Sequence, residues 1–587
     1  MNGRVAGILV AAIAALLAGC GGGHSSVVPL PVASAAHAGT GPKASVSFTI
    51  IVPKKATAQK PAYVSPATQS MTVNIMQGST SVISETVGLT PTSTGCTSTL
   101  TSTQCTLQLS LTAGAYTASI TTYDGTNATG NALSTAQAVA FTVVQGQNNV
   151  VPLTLSGIPA QVLPNYAGNG QFYVAALDVD GNYIIGPGAP TFSVAKSSGS
   201  TVVSITQPST TAPNAFELSA TTDGSETLTI TAGYGSGETN GCAQPGAVCS
   251  TSFSVTGTQY VFFTNEDDSN VLGFVVPFTS ATASPIFTGS AYYPENAITI
   301  DASENVFYAG DEYTAVPVDE ISPPYTGSPV AGPSVSGYVY GLAVGSNGDL
   351  FVLSYDNEAV YVYAPPYTGS AIATITAGID DAESIALDAN NDLFVGNDGS
   401  TANITEYAPP YTESTATATI STTVGTTIYY PETLFFDASG DLWLADESDS
   451  SVLEYTPTIG SSSTPAVTIT NGIGEPSCPG VFDASGNLFI ANYSADTITE
   501  YTKASGYSLA ATITDDFEPC GLVMDKAGDL YSVNDTNTTG SGEGAILEFT
   551  PPYSGSSAPV YQVSTGVYYP YDAHAVITNS VNLTVSL

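Results

Sequence analysis

The sequence predicts an all-β protein: two N-terminal β-sandwiches, then a seven-bladed β-propeller closed by the C-terminal strand. Three observations carry this. After residue 20 no stretch keeps the apolar period of a helix, and short β-branched runs punctuated by Gly, Pro, Asn and Asp continue to the end. Turns anchored at Asp301, Gly345, Asp388, Asp437, Asp483 and Asp525 recur 44, 43, 49, 46 and 42 residues apart. At 587 residues the chain exceeds what one core of this kind organises, so several domains are expected.

Residues 1–19 read as an export signal. Arg4 is the positive flank, and the apolar run Val5 to Leu17 is too short to span a bilayer. Leu17-Ala18-Gly19-Cys20 resembles the lipobox of bacterial lipoproteins, in which the Cys becomes the lipid-carrying first residue. The resemblance implies lipidation at Cys20, an extracytoplasmic place in the bacterial cell envelope, and membrane attachment through that lipid only. Each buried methylene of such an anchor contributes about 0.8 kcal/mol. An ordinary secretory signal with an incidental Cys is the alternative. Residues 20–43 carry no pattern and read as a flexible tether.

Charge then narrows the partners. Forty-nine acidic residues face eight basic ones, a formal net charge of −41, and beyond residue 257 the basic residues are Lys503 and Lys526. Such a surface repels phosphate backbones, which excludes nucleic acid. It suits an acidic exterior, where carboxylates are largely neutralised. Of the seven cysteines, six remain after Cys20. Cys96 and Cys105 bracket one short loop, and Cys242 and Cys249 another. Cys478 and Cys520 each stand five residues before an anchor Asp, hence at equivalent places in neighbouring repeats. An even count in an exported chain favours disulfides over a metal site.

Residues 44–156 carry strand signals such as "ASVSFTIIV" and "GAYTASITTYD", and residues 157–257 carry "QFYVAALDVDGNYI" and "ETLTITAGY". Both read as β-sandwiches, and the first resembles the Ig-like domains that bacteria string along exported proteins. "DVDGN" at 178–182 has a calcium-loop flavour but lacks the flanking ligands. A tight Asp-Gly hairpin turn is the simpler reading.

Residues 258–587 hold the repeats. Each unit offers a strand into the anchor ("ESIALD", "ETLFFD"), a second leaving it ("DLFVG", "DLWLA", "NLFIA"), a third ending on an aromatic ("ITEYAPP", "AILEFTPP") and a fourth ("ATITAG", "AVTITNG"). The loops "PPYTGS", "PPYTES" and "PPYSGS" separate the last two. Four strands at this period describe propeller blades, which are unstable alone and must stack on copies of themselves. Residues 259–289 supply three strands without an inner one, and "YYPYDAHAVI" at 568–577 matches "YYPENAITI" and "YYPETLFF". The C-terminal segment is therefore expected to complete the first blade, for a total of seven. A different pairing there, or a poor blade near 315–335, would make six or eight, and residues 578–587 have no assigned place.

"EPCGLVMDKAGDLYSVND…AILEFTPP" (518–552) resembles the NHL repeat in its Pro-x-Gly-like start, apolar pair before Asp, Gly-Asp turn, and closing apolar and aromatic residues. The resemblance covers residues 258–587 and weakens where Gly345 replaces the anchor Asp. It implies a fold rather than a reaction: the family includes interaction modules, and related propellers include lactonases and streptogramin lyases.

Propeller ligands meet the loops where inner strands begin. Here those loops carry Glu295, Asp380, Glu383, Glu432, Glu475, Glu518 and Asp572, and the aromatics Tyr293, Tyr340, Tyr430 and Tyr569. Converging carboxylates would bind a divalent cation, calcium or magnesium, in the channel. The alternative is that each acid is a solvated turn residue. Tyr and carboxylate together suit a carbohydrate or protein at the cell surface, and packing between blades is their bland reading. His574 is the single weak candidate for a general base. No nucleophile motif or phosphate loop occurs. The reading is thus a lipid-anchored binding or adhesion module without a required cofactor. A metal-dependent lactonase or streptogramin-lyase-like enzyme is the first alternative, and a structural envelope protein without a ligand the second.

Overall fold

The computed structural model of the protein describes residues 41–54, 63–168, 170–197, 199–206, 214–234, 241–266, 268–294, 296–310, 315–411, 416–421, 428–457, 459–460, 462–515, 517–535, 544–568, 570 and 573–586. Residues 1–40, where the sequence reading places the export signal, Cys20 and most of the tether, lie outside these residues. Strands dominate throughout, and the helical elements among the described residues are single 3-10 turns. The chain divides into two compact units, Met1–Ala58 with Pro66–Thr154, and Gln59–Ser65 with Leu155–Leu587.

The first unit holds two sheets. One orders Cys96–Ser98, Ser102–Thr112, Lys43–Pro53 and Asn149–Val150, and the other orders Thr80–Gly88, Ser70–Gln77, Gly114–Tyr123 and Ala132–Val143. Lys43–Pro53 buries Val46, Phe48, Ile50 and Val52, the two-residue alternation of a half-buried strand. Phe48 meets Phe141 of the opposite sheet edge-on, with centroids 5.7 Å apart. Cys96 and Cys105 are cross-strand partners and form a disulfide.

The second unit begins with another pair of sheets. Gln161–Gly168, Gln171–Leu177, Ala215–Ala220 and Val203–Thr206 make one, and Thr191–Ala195, Gly224–Gly233 and Ser250–Asn265 belong to the other. Phe172 and Phe253, one from each, have centroids 5.5 Å apart within a shared core. The 178–182 stretch is a hairpin turn: Asp178 Oδ1 accepts the amides of Asp180 and Asn182 at 3.0 and 2.9 Å. Its other oxygen accepts the buried Tyr63 hydroxyl at 2.6 Å. Cys242 and Cys249 form a second disulfide.

Ser250–Asn265 is one continuous 16-residue strand. Its first half pairs with Gly224–Gly233 and its second half with Asn270–Val276. The C-terminal segment returns to it twice. Ala575–Ile577 pairs antiparallel with Val261–Phe263, and Asn582–Ser586 with Ser254–Thr258. The last strand, which no repeat signal announces, thus covers the open side of Ser250–Asn265, and its Leu583 and Val585 pack on the core just described.

Six four-stranded antiparallel sheets lie between these ends, spanning 298–335, 339–375, 382–421, 431–469, 481–514 and 519–563. Each is a simple meander, the construction of a β-propeller. Second strands such as Leu393–Asn397, Leu442–Asp446 and Leu488–Asn492 are buried at every position. A strand covered on both faces needs a continuous apolar run, which is why "DLFVG" and "DLWLA" do not alternate. Cys478 and Cys520, from the 481–514 and 519–563 regions, form a disulfide between adjacent sheets.

Two repeated devices hold the sheets. The first is the anchor turn. Asp483 Oδ1 accepts the amides of Ser485 and Asn487 at 2.7 and 2.8 Å, and Asp301, Asp388, Asp437 and Asp525 do the same at their own second and fourth following residues. Where Gly345 replaces Asp, Asn391 Oδ1 of the next sheet's turn accepts the Ser346 amide at 2.7 Å. The second device is aromatic. A ring on the second strand of one sheet meets a loop ring of the next. The pairs are Phe262–Tyr325, Phe307–Tyr367, Phe351–Tyr411, Trp443–Tyr507 and Phe489–Tyr553, with centroids 4.7, 5.4, 5.2, 4.8 and 5.1 Å apart. Tyr531 of the 519–563 sheet meets Phe278 at 5.8 Å, which joins the last sheet to the first. In the "PPY" loops the tyrosine hydroxyl also donates to an anchor-turn carbonyl, as Tyr325 does to Glu304 at 2.9 Å and Tyr367 to Gly348 at 2.8 Å.

The anchor turn generates a prediction. Asp483→Ala removes two amide bonds to a carboxylate and is expected to lower stability by about 2 kcal/mol. Gly345→Asp restores the repeat's usual residue, yet it is expected to destabilise, because a Cβ there lies 2.7 Å from Asn347 Oδ1 and 2.9 Å from Asn391 Oδ1. Urea unfolding of both variants checks this. A Gly345→Asp protein more stable than wild type would contradict it.

Candidate functional site

Four of the loops entering the inner strands are held from behind by the last residue of the second strand. Asn397 Oδ1 accepts the Asp380 amide at 3.1 Å, and Asn492 Oδ1 that of Gly474 at 3.0 Å. Asp446 takes the amides of Tyr429 and Tyr430 at 2.8 and 3.1 Å, and Asn265 takes that of Tyr568 at 3.0 Å. These Asn and Asp side chains are fully buried, so each loop is tied to the rigid part of its sheet. The loops also hold non-glycine residues in left-handed backbone: φ is 44° at Tyr293, 46° at Asp381, 49° at Glu475 and 53° at Glu518. Such strain persists where surrounding bonds over-determine it, and it gathers at binding surfaces.

On this rim the 382–421 and 431–469 sheets bring acids together. Glu383 and Glu432, the second residues of Ala382–Leu387 and Pro431–Phe436, are both buried. Tyr430 lies among them: burial, then the charges of Glu432, Glu383, Asp398 and Glu447, push its hydroxyl far up. Burial and then Glu383, Asp381, Asp398 and Asp356 raise Tyr355. Burial raises Glu447, with Glu475, Asp398 and Asp446 adding to it, and raises Asp398, with Asp381 and Asp446 adding. Acids from four consecutive sheets therefore form one interacting pool. Lys503 is not part of it, since its Nζ stands 3.4 Å from Asp437 at the anchor end of the inner strand.

The other expected residues are placed as follows. Asp380 turns to the neighbouring loop of its own sheet, accepting the Ser400 amide at 3.1 Å. The Glu518 amide donates to Asp496 at 3.0 Å. Tyr340 is half-buried between Tyr338 and Tyr355, with centroids 6.4 and 4.7 Å away. Tyr293 is exposed against Tyr292 at 4.7 Å. Glu295, Tyr569 and Asp572 lie outside the described residues. Sequence reasoning missed Tyr355, Asp398 and Glu447. Each follows directly on the last residue of a second strand, so aligning the repeats one position further would have found them.

His574 sits just ahead of Ala575–Ile577. The residue is half-buried, and its Nε2 is enclosed and meets no hydrogen-bonding group. Burial lowers its pKa to about 4, so the imidazole is neutral near pH 7. A base tuned that low is a poor match to proton abstraction at neutral pH.

Among the described residues, two acid groups have the closeness a cation needs, with one oxygen from each residue inside a 4.8 Å span: Asp223 with Asp525 and Asp529, and Asp437 with Asp441 and Glu454. Both stand at anchor turns rather than on the rim, where the sequence reading placed its calcium or magnesium.

The rim acids make stability pH-dependent. Asp398, Asp446 and Glu447 have raised values in the folded chain. Their contribution is fully present below the unfolded value, about 4, and is lost as pH rises through the raised folded values. His574 acts oppositely below its ordinary 6.5, as one group against several. The melting temperature in metal-free buffer is therefore expected to rise as pH falls from about 8 to about 5. A maximum at neutral pH would refute this.

No family model matches the chain, and no curated protein matches it. Among solved structures, the chain is similar to a protein from Lactobacillus plantarum at 13% identity, with 55% of this chain and 100% of that one covered and a TM-score of 0.46. A putative 6-phosphogluconolactonase from Bacteroides fragilis is similar at 11% identity, with 55% and 98% covered and a TM-score of 0.44. Virginiamycin B lyase from Staphylococcus aureus is similar at 12% identity, with 51% and 89% covered and a TM-score of 0.37.

Proposed function

We propose that this chain is a binding module of the bacterial cell envelope, anchored through lipid on Cys20, whose seven-bladed ring presents its acidic rim to a cell-surface carbohydrate or protein. The observation that carries it is the pool of Glu383, Asp398, Glu432 and Glu447 around Tyr355 and Tyr430. Carboxylates held half-dry on a rigid frame accept hydrogen bonds from hydroxyl or ammonium donors, and tyrosine faces supply stacking area. With no Lys or Arg in the pool, nothing there would steady an oxyanion, and His574 is neutral and enclosed. The two sandwiches act as spacers between the membrane and the ring.

An enzymatic reading, a lactonase or lyase, rests on the same pool, since the raised values of Asp398 and Glu447 are what general acids need. One experiment separates the two. The chain without its lipid, applied to glycan and peptide arrays, is expected to bind a defined set of spots, and Glu383→Gln with Glu432→Gln to weaken that binding at least tenfold. Unchanged binding by the double variant, or release of a cleaved product from the bound probes, would overturn the binding reading. For the anchor, Cys20→Ser is expected to move the protein from the membrane to the soluble fraction; retention on membranes would count against lipidation.

A further inference from the structure

The anchor turn of the 519–563 sheet differs from its counterparts in what faces it. At the equivalent turn of the 431–469 sheet, Asp437, Asp441 and Glu454 form a close acid group, and Lys503 from the next sheet answers it with Nζ 3.4 Å from Asp437 Oδ2. Among the described residues that is the one ion pair. Asp525, Asp529 and Glu548 occupy the same three places but receive no ammonium. A further carboxylate reaches them instead: Asp223, from the turn before Gly224–Gly233, whose Oδ1 accepts the Ala527 amide at 3.0 Å. That bond pins the Asp223 carboxyl to the turn. Its Oδ2 is buried, in a side chain only 2% exposed, and no N–H or O–H donor meets it. What faces it is the Asp525 carboxyl, whose own oxygens already accept the amides of Ala527 and Asp529 and the Tyr531 hydroxyl, the last at 2.9 Å.

Buried carboxylates this close cannot all be charged without a positive partner. We propose that Asp223, Asp525 and Asp529 form a calcium site, the ion taking the place that the Lys503 ammonium fills at the 431–469 turn. Carboxylate oxygens without His or Cys suit a hard cation, and calcium accepts irregular oxygen sets completed by water. Consistent with a missing positive charge, burial together with Asp223 holds Asp525 well above the usual carboxylate range, and burial with Asp223 raises Asp529 as well. A bound ion would tie the strand Gly224–Gly233 to the last anchor turn, 302 residues further along (525 − 223).

The test uses the mature full-length chain stripped with EDTA. Calcium chloride is expected to raise its melting temperature by several degrees, as ligand linkage requires, and magnesium to do so less. Asp223→Asn and Asp529→Asn are each expected to abolish the shift, while Asp437→Asn keeps it. Terbium luminescence sensitised by Tyr531, displaced by calcium in the wild type and lost in Asp529→Asn, reads the same site should Asp223→Asn fail to fold. A calcium shift that survives both Asp223→Asn and Asp529→Asn would overturn the site. So would an absent shift in the wild type, and stabilisation by Asp223→Asn without calcium would then identify a shared proton as the occupant.

Discussion

The aromatic step from each sheet to the next is the contact on which the propeller depends. A four-stranded meander with a second strand apolar on both faces has no stable free form in water, and its neighbours must cover it. Phe307, Phe351, Trp443 and Phe489 lie fully buried under a loop ring from the following sheet. Those loop tyrosines are themselves constrained. Tyr325, Tyr367 and Tyr411 sit at φ of 60°, 62° and 58°, a conformation an aromatic residue rarely takes. Ring burial and the hydroxyl bond to the anchor-turn carbonyl offset that strain. One residue thus joins two sheets and braces a turn, and Tyr531 against Phe278 extends the same contact from the last sheet to the first.

That scaffold separates the two ends of every inner strand. At the anchor end, short turns close on themselves through an Asp that accepts two amides, and at 525–529 a further carboxylate, Asp223, joins the turn. At the rim end, buried Asn and Asp residues hold longer loops whose acids and tyrosines remain near the surface. Asp380, whose carboxylate is taken up by the Ser400 amide, stays out of the pool that Glu383 and Glu432 join.

Scarcity of basic residues gives the acids their chemistry. A carboxylate beside Lys or Arg is held ionised, but among the described residues Asp437 alone has such a partner. Burial therefore shifts acids upward along the third strands as well, at Glu406, Glu454 and Glu500. Lys503 shows the contrast. Among the described residues it is the single ammonium placed against an anchor Asp, and the turn it serves has the same kind of acid set that goes unanswered at 525–529.

The sequence by itself determined the elements. Repeat spacing, apolar runs around each anchor, and turn residues are local signals, because strand formation and turn geometry depend on a few neighbouring residues. The meanders, the return of Ala575–Ile577 to Val261–Phe263, and the Asp-Gly turn at 178–182 follow from them. Only the tertiary structure decided what meets across sheets. Asn582–Ser586 carries no repeat signal, and its place was set by the uncovered side of Ser250–Asn265. Asp398 and Glu447, at equivalent places in their repeats, joined the rim acids because their sheets pack side by side, and Asp223 came to face Asp525 because packing brings together residues that no period relates. Repetition encodes how each sheet folds. Where one sheet's side chains meet another's depends on the distances and angles at which the sheets pack, and a one-dimensional pattern does not contain these.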